Sequence, residues 1–140
     1  MARGIQPPRL GEMPFRLGEW QVDPTLGRIF RGDDVVHLEI RAMDVLVSLA
    51  EHATSLVTRR QLIHEVWGTS SISDNTLTRV IADLRRAFND DAREPSYIET
   101  IHRRGYRMLQ NPRPLEVGHQ HSWSARDRIW VPASDPTTRH

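Results

Sequence analysis

The 140-residue sequence predicts an α+β fold, with short antiparallel strands first, then three helices, then a closing β-hairpin. Three observations carry this. Apolar residues repeat with a period of about two up to Leu38 and of about 3.6 from Glu39 onward, the change that marks strand giving way to helix. Turn-forming clusters, Asp23-Pro24-Thr25-Leu26-Gly27 and Gly32-Asp33-Asp34, cut the first part into closely spaced short strands, the pattern of a meander. After Asn89-Asp90-Asp91 the strand-like pattern returns on both sides of Arg103-Arg104-Gly105.

The elements follow in order. Residues 1–14, rich in Pro, Gly and Arg, read as a disordered lead-in. Phe15-Arg16-Leu17, Trp20-Gln21-Val22, Arg28-Ile29-Phe30-Arg31 and Val35-Val36-His37-Leu38 supply the N-terminal strands. Met43, Leu46, Val47 and Ala50 share one face of a helix expected to run to about His52. Thr58-Arg59-Arg60-Gln61 has the form of a capping box, in which Thr and Gln satisfy each other's unpaired amides. It opens a second helix whose buried side is Leu62, Ile63, Val66 and Trp67, and Gly68 to Ile72 form a short connector. Ser73 or Asp74 caps the third helix, which carries a continuous apolar stripe of Leu77, Val80, Ile81, Leu84 and Phe88. Tyr97–Ile101 and Tyr106–Leu109 form the hairpin. Beyond Leu109 the pattern dissolves, so the domain is expected over 15–109, with 110–140 a flexible tail or linker.

Composition narrows the function. No run approaches the ~18 apolar residues of a membrane span, and the N-terminus lacks the apolar core of a signal peptide. The chain has no cysteine, which fits a reducing, cytoplasmic setting. The net charge of +1 hides a division: residues 15–53 carry four Arg against seven acids, whereas residues 59–107 carry nine Arg against seven. All 19 basic residues are Arg, the better bidentate donor to phosphate and guanine. A GC-rich genome would write the same bias, so composition permits nucleic acid without demanding it.

Two short helices joined by a short connector make a helix-turn-helix, whose second helix enters the major groove. Opposite the apolar stripe of the third helix lie Asn75, Arg79, Ala82 and Arg86, flanked by Thr78 and Arg85. Arg can grip guanine O6 and N7, Asn can pair with adenine, and Ala or the Thr methyl can meet a thymine methyl. Any amphipathic helix also needs a solvated face, so the helix alone does not decide the matter. Arg103, Arg104 and Arg107 around a glycine bend form a cationic hairpin tip directly after the helix-turn-helix, the arrangement of a wing that reaches the minor groove or phosphates.

Residues 15–109 resemble the winged helix-turn-helix output domain of OmpR/PhoB-type transcriptional regulators, and within them the ToxR/CadC-like branch, where this domain stands at the N-terminus. The resemblance lies in Leu38-Glu39-Ile40-Arg41-Ala42-Met43-Asp44-Val45-Leu46, in Thr58-Arg59-Arg60-Gln61-Leu62 through Val66-Trp67, and in Ser73-Asp74-Asn75-Thr76-Leu77 through Leu84-Arg85-Arg86-Ala87-Phe88, continuing to Arg103-Arg104-Gly105-Tyr106-Arg107. It implies a four-stranded N-terminal sheet, three helices and a C-terminal wing. It implies promoter binding to double-stranded DNA, commonly by two copies on direct-repeat half-sites, with RNA polymerase as a further partner and no cofactor. By position, Asn75, Thr78, Arg79 and Ala82 would face bases; Arg59, Arg60, Trp67, Arg85 and Arg86 would hold phosphates; His102, Arg103 and Arg104 would work at the wing. The sequence departs from the branch at His102, where Pro is frequent, and at Ala53-Thr54, where Pro-Gly is frequent.

Alternatives remain open at several points. Arg85 and Arg86 can instead pair with Asp83, Asp90 or Asp91, and Trp67 is a core residue before it is a phosphate contact. His64 reads as an ordinary exposed residue. The enzyme reading finds no Cys nucleophile, G-x-S-x-G, P-loop or H-E-x-x-H motif. His119, His121 and His140 are weak metal candidates in a solvated tail. The rival binding reading is a protein-interaction module that uses the acidic N-terminal part. No phosphoacceptor domain precedes the module and no transmembrane helix follows it within this sequence, which leaves a stand-alone regulator or a piece of a longer sensor.

Overall fold

A computed structural model describes residues 9–68, 72–115 and 121–132. Strands β1 (Phe15–Leu17), β2 (Trp20–Asp23), β3 (Arg28–Arg31) and β4 (Asp34–His37) form the expected antiparallel meander. Asp23 makes the β2–β3 turn: its carboxylate accepts from Thr25 Oγ1 at 2.8 Å and from the Leu26 N–H at 3.2 Å.

Helix α1 (Ile40–Glu51) buries Met43, Leu46 and Ala50 of the expected face, together with Val45 and Leu49. The chain leaves α1 through Thr54 at φ +66°, a left-handed conformation that a β-branched residue rarely adopts. Here the related branch often carries glycine, and the Thr54 N–H is held by a 2.8 Å bond to the Met108 carbonyl. Helix α2 (Arg59–Trp67) starts at the N-cap Thr58, whose hydroxyl accepts from the Gln61 N–H. Only this half of the capping box forms. The Gln61 side-chain amide donates to Glu65 Oε2 at 3.1 Å instead, joining a polar cluster in which Ser48 Oγ donates to Glu65 Oε1 at 2.6 Å. Burial works to raise the Glu65 pKa, but the hydrogen bonds from Ser48 and Gln61, with His52 alongside, outweigh it and hold the carboxyl below its ordinary value.

Helix α3 (Asp74–Phe88) is capped by Ser73, whose hydroxyl accepts from the Thr76 N–H, and ends at Asn89 in the left-handed conformation. Leu77, Ile81, Leu84 and Phe88 are fully buried, and Val80 packs beside them. Strands β6 (Ile98–Ile101) and β7 (Gly105–Met108) form the expected hairpin. A strand that the sequence did not announce, β5 (Leu56–Thr58), adds to β7 and makes a three-stranded sheet in the order β5-β7-β6. Gly105 permits that pairing, because a Cβ there would lie 2.1 Å from the Val57 carbonyl oxygen.

The flanks differ from the expectation. Residues 1–8 lie outside the described part, but Leu10–Glu12 form a 3-10 turn with Leu10 buried in the core. On the other side, β8 (Pro112–Arg113) pairs with β1, so the N-terminal sheet has five strands in the order β4-β3-β2-β1-β8. Then β9 (His121–Ser124) and β10 (Ile129–Pro132) form a second hairpin. Trp123 and Trp130 face each other across it with ring centroids 5.3 Å apart, in a T-shaped contact. An isolated two-stranded hairpin is marginal in water; this one docks. Trp123 Nε1 donates to the Glu51 carbonyl at 3.0 Å, satisfying an oxygen that the end of α1 leaves unpaired. Arg128 stands 3.9 Å from the Glu51 carboxylate, whose pKa is raised chiefly by burial, with Arg128 and Arg9 opposing.

Two outcomes are expected. Trp123→Ala should cost about 3 kcal/mol of stability, as for a buried aromatic removed from a packed site; loss below ~0.5 kcal/mol in urea unfolding would mean the second hairpin is not part of the folded unit. Thr54→Gly should raise stability by about 0.5–1 kcal/mol through relief of the left-handed strain, read as a higher urea midpoint at unchanged slope.

Candidate nucleic-acid interface

Helix α3 is placed by its buried stripe, and the opposite face is what it offers to a partner. Asn75, Thr78, Arg79 and Ala82 are all exposed on that face. Their spacing along the helix puts them on one face, as expected. At the wing, His102, Arg103 and Arg104 are exposed and the turn closes through a 2.9 Å bond from the Arg104 N–H to the Ile101 carbonyl. Arg103 occupies φ +64°, so its side chain is fixed at a left-handed corner that glycine fills more cheaply.

The arginines divide into two sets. Among the described residues, Arg60, Arg79, Arg103 and Arg104 are exposed and make no ion pair with a carboxylate. Arg60 sits in the first turn of α2, at the positive end of the helix dipole, where a cation stabilises the helix least and an arriving anion is favoured. Arg93, in the loop after α3, is exposed and without such a partner as well, whereas Arg59, Arg85, Arg86 and Arg107 are engaged within the protein. Arg85, expected at a phosphate, instead donates to the Ile98 carbonyl through Nη2 at 2.8 Å and to Thr100 Oγ1 at 2.7 Å, clasping α3 to the first wing strand. Arg86 pairs with Asp83 on its own helix. Arg107, read from sequence as part of the cationic tip, lies within β7 and pairs with Glu99 directly across the ladder. Arg59 donates to Tyr106 Oη at 2.8 Å and to Thr78 Oγ1 at 2.8 Å. Trp67 is half-buried and packs against the core, and His64 is exposed.

The sequence reading missed the residues that fasten α3 to the wing. The Asp90 carboxylate accepts from the backbone N–H groups of Ser96 at 2.7 Å, Tyr97 at 3.2 Å and Ile98 at 2.9 Å. From sequence Asn89-Asp90-Asp91 ends the helix and offers Asp90 and Asp91 as partners for Arg85 or Arg86; an acidic residue just past a helix and shortly before a strand is the available signal for the role Asp90 takes. Tyr97 stacks on Phe88 at 4.7 Å, and its hydroxyl accepts from the Glu19 N–H at 2.9 Å. Burial raises the pKa of that hydroxyl, against the bond from Glu19, so Tyr97 stays neutral. Gly18 is required beside it, since it takes φ +62° and a Cβ would meet Tyr97 Oη at 2.4 Å, closer than real Cβ atoms come. Among the described residues no three His, Asp or Glu side chains gather as a metal site; His119 and His140 lie outside them.

A helix-turn-helix whose second helix turns a polar, arginine-bearing face outward, fastened to a cationic hairpin, defines a winged-helix DNA-binding domain. Residues 32–108 match the family described as "Transcriptional regulatory protein, C terminal", and the chain belongs to that family. It is similar to the transcriptional activator CadC of Escherichia coli, with 37% identity over 95 residues, covering 67% of this chain and 19% of CadC. It is similar as well to the transcriptional regulator HilA of Salmonella typhimurium, with 34% identity over 112 residues, covering 80% of this chain and 18% of HilA. The chain thus spans about a fifth of the length of these relatives. The solved DNA-binding domain of E. coli CadC superposes with a TM-score of 0.63 at 33% identity, covering 77% of this chain and 97% of that domain. The Klebsiella pneumoniae RstA DNA-binding domain, solved in complex with its RstA box, gives 0.61 at 26% identity, covering 69% of this chain and 96% of that one.

No helix among the described residues is long and apolar enough to cross a membrane. Asp90→Ala, which strips a charged acceptor from three backbone amides, should cost about 2–3 kcal/mol of stability. It should also weaken binding to every DNA sequence alike by loosening α3 from the wing, which urea unfolding and a DNA titration on specific and random duplexes would check together.

Proposed function

We propose that this chain is a sequence-specific regulator that binds promoter DNA, laying α3 in the major groove and its wing at the minor groove or phosphates. The observation that carries this reading is the exposed Asn75–Arg79–Ala82 face on a helix that Arg85 fastens to the wing, with Arg60, Arg103 and Arg104 exposed and, among the described residues, without a carboxylate partner. In the proposal Asn75, Arg79 and Ala82 read base edges, and Arg60, Arg103 and Arg104 hold the backbone. Arg85 and Arg86, which the family resemblance puts at phosphates, take the internal pairing that the sequence also leaves open: Arg85 ties α3 to β6 and Arg86 pairs with Asp83 along the helix. The RstA domain in complex with its own box supports double-stranded DNA as the partner. The family resemblance extends the proposal to two copies side by side on direct-repeat half-sites in the cytoplasm, with RNA polymerase as a further contact.

The test is selection from a random DNA library followed by a salt titration on the enriched site. A repeated short half-site whose affinity falls steeply with salt is the expected result. Weak binding that ignores both sequence and salt would favour the rival protein-docking module. Arg79→Ala should weaken specific binding by about 1–3 kcal/mol and leave random DNA nearly untouched, whereas Arg103→Ala should weaken both and reduce the salt slope by about one.

A further inference from the structure

Arg59, which the family resemblance puts at a phosphate, has its guanidinium engaged by two other elements, β7 and α3. Nη1 donates to Tyr106 Oη at 2.8 Å, and Nη2 donates to the Asp74 carbonyl at 3.2 Å and to Thr78 Oγ1 at 2.8 Å. Nε lies 3.8 Å from the Asp74 carboxylate, and the guanidinium carbon stands 5.5 Å from the centroid of the Tyr106 ring. The group is therefore anchored from the wing strand on one side and from the start of α3 on the other.

The consequence falls on Thr78. A hydroxyl has one proton to donate and two lone pairs to accept with, and a guanidinium has protons only. The bond from Arg59 must therefore end on a Thr78 lone pair, and the Thr78 proton must go elsewhere. Its usual local refuge is the carbonyl four residues back along the helix, which is that of Asp74. That oxygen already receives Arg59 Nη2, and its place in the first turn gives it the regular helical bond from the Thr78 N–H. Its two lone pairs are taken. The Thr78 proton is left without an acceptor on its own helix, and the hydroxyl lies on the exposed face that carries Asn75 and Arg79.

We propose that Arg59 is a positioning residue that sets sequence preference: it leaves the Thr78 proton in need of an acceptor, so a base that presents an acceptor to Thr78 is preferred. In the major groove guanine, adenine and thymine present acceptors at N7, O6 or O4, whereas cytosine presents the N4 donor. A cytosine there could donate to the remaining Thr78 lone pair but would leave the Thr78 proton without an acceptor, so cytosine is disfavoured at that one position. The inference rests on the reading of α3 as the base-reading helix.

The experiment is library selection with the 140-residue chain as wild type, Thr78→Val, Arg59→Met, Arg59→Lys and the Arg59→Met/Thr78→Val double variant, each checked for folding by thermal melting. The expected wild-type result is an enriched half-site with cytosine depleted at one position. Thr78→Val and Arg59→Met should each readmit cytosine there, shifting the preference by about three- to tenfold, and the double variant should go no further than Thr78→Val. Arg59→Lys, which keeps a donor for Thr78, should retain the depletion. Arg59→Met that weakens all sequences evenly while keeping the wild-type base preferences would overturn the proposal and return Arg59 to the phosphates. So would a Thr78→Val profile with cytosine still depleted, a result that stands even if Arg59→Met does not fold. A wild type that enriches nothing would instead overturn the DNA-reading assignment on which the proposal depends.

Discussion

Phe88 occupies the last turn of α3 with its ring enclosed on two sides. The edge of Trp20, from the N-terminal sheet, meets it at 5.7 Å and 86°, and the face of Tyr97, at the root of the wing, lies over it at 4.7 Å and 16°. Each contact is of the kind aromatic pairs favour, edge-to-face on one side and offset stacking on the other. One buried ring thus fixes the helix against both sheets at once. Tyr97 closes the circuit by accepting from the Glu19 N–H in the β1–β2 turn, which Gly18 leaves room for. The junction joins the N-terminal meander, the helical layer and the wing within one continuous core, and none of the three alone has core enough to hold itself together.

That junction also explains why polar contacts near α3 are so heavily committed. A recognition helix is useful only if its exposed face keeps a fixed attitude to the wing, because base contacts need hydrogen-bond geometry from both. Arg85 to Ile98 and Thr100, and Asp90 to the amides of residues 96–98, tie the C-terminal half of α3 to β6. Arg59 ties the N-terminal half to β7 through Tyr106. The helix is held at both ends, and the middle of its outer face stays open.

The order of elements was legible because periodicity and punctuation agree: the Leu77–Phe88 stripe, the Ser73 and Thr58 caps and the glycine bend all appear where the sequence puts them. The exposed face of α3 was legible for the same reason, since a stripe defines its own opposite. What was not legible depended on distant partners. Strand β5 is three residues long and exists because β7 pairs with it. The Trp123–Trp130 hairpin has neither glycine nor Asn-Gly in its turn, relies on Arg128 at φ +57°, and is stabilised by the end of α1 some seventy residues earlier in the chain. Alternation over four residues is too weak a signal to announce its strands without the surface that receives them.

The arginines show the same limit at the site itself. From sequence Arg59, Arg60, Arg79, Arg85, Arg86, Arg103, Arg104 and Arg107 are all candidates for DNA, and position on a helix or hairpin is the main guide. In the fold, four of them, Arg59, Arg85, Arg86 and Arg107, are bound to oxygen atoms of the protein. An arginine whose donors are filled gives up little to a phosphate, because each new bond would replace an existing one; an arginine in water exchanges only water. Arginine suits both tasks because its planar fork holds several acceptors in fixed directions, which lysine cannot do. The chain's exclusive use of Arg therefore has a structural side. The same residue type builds the frame around α3 and supplies the charges left free to leave it.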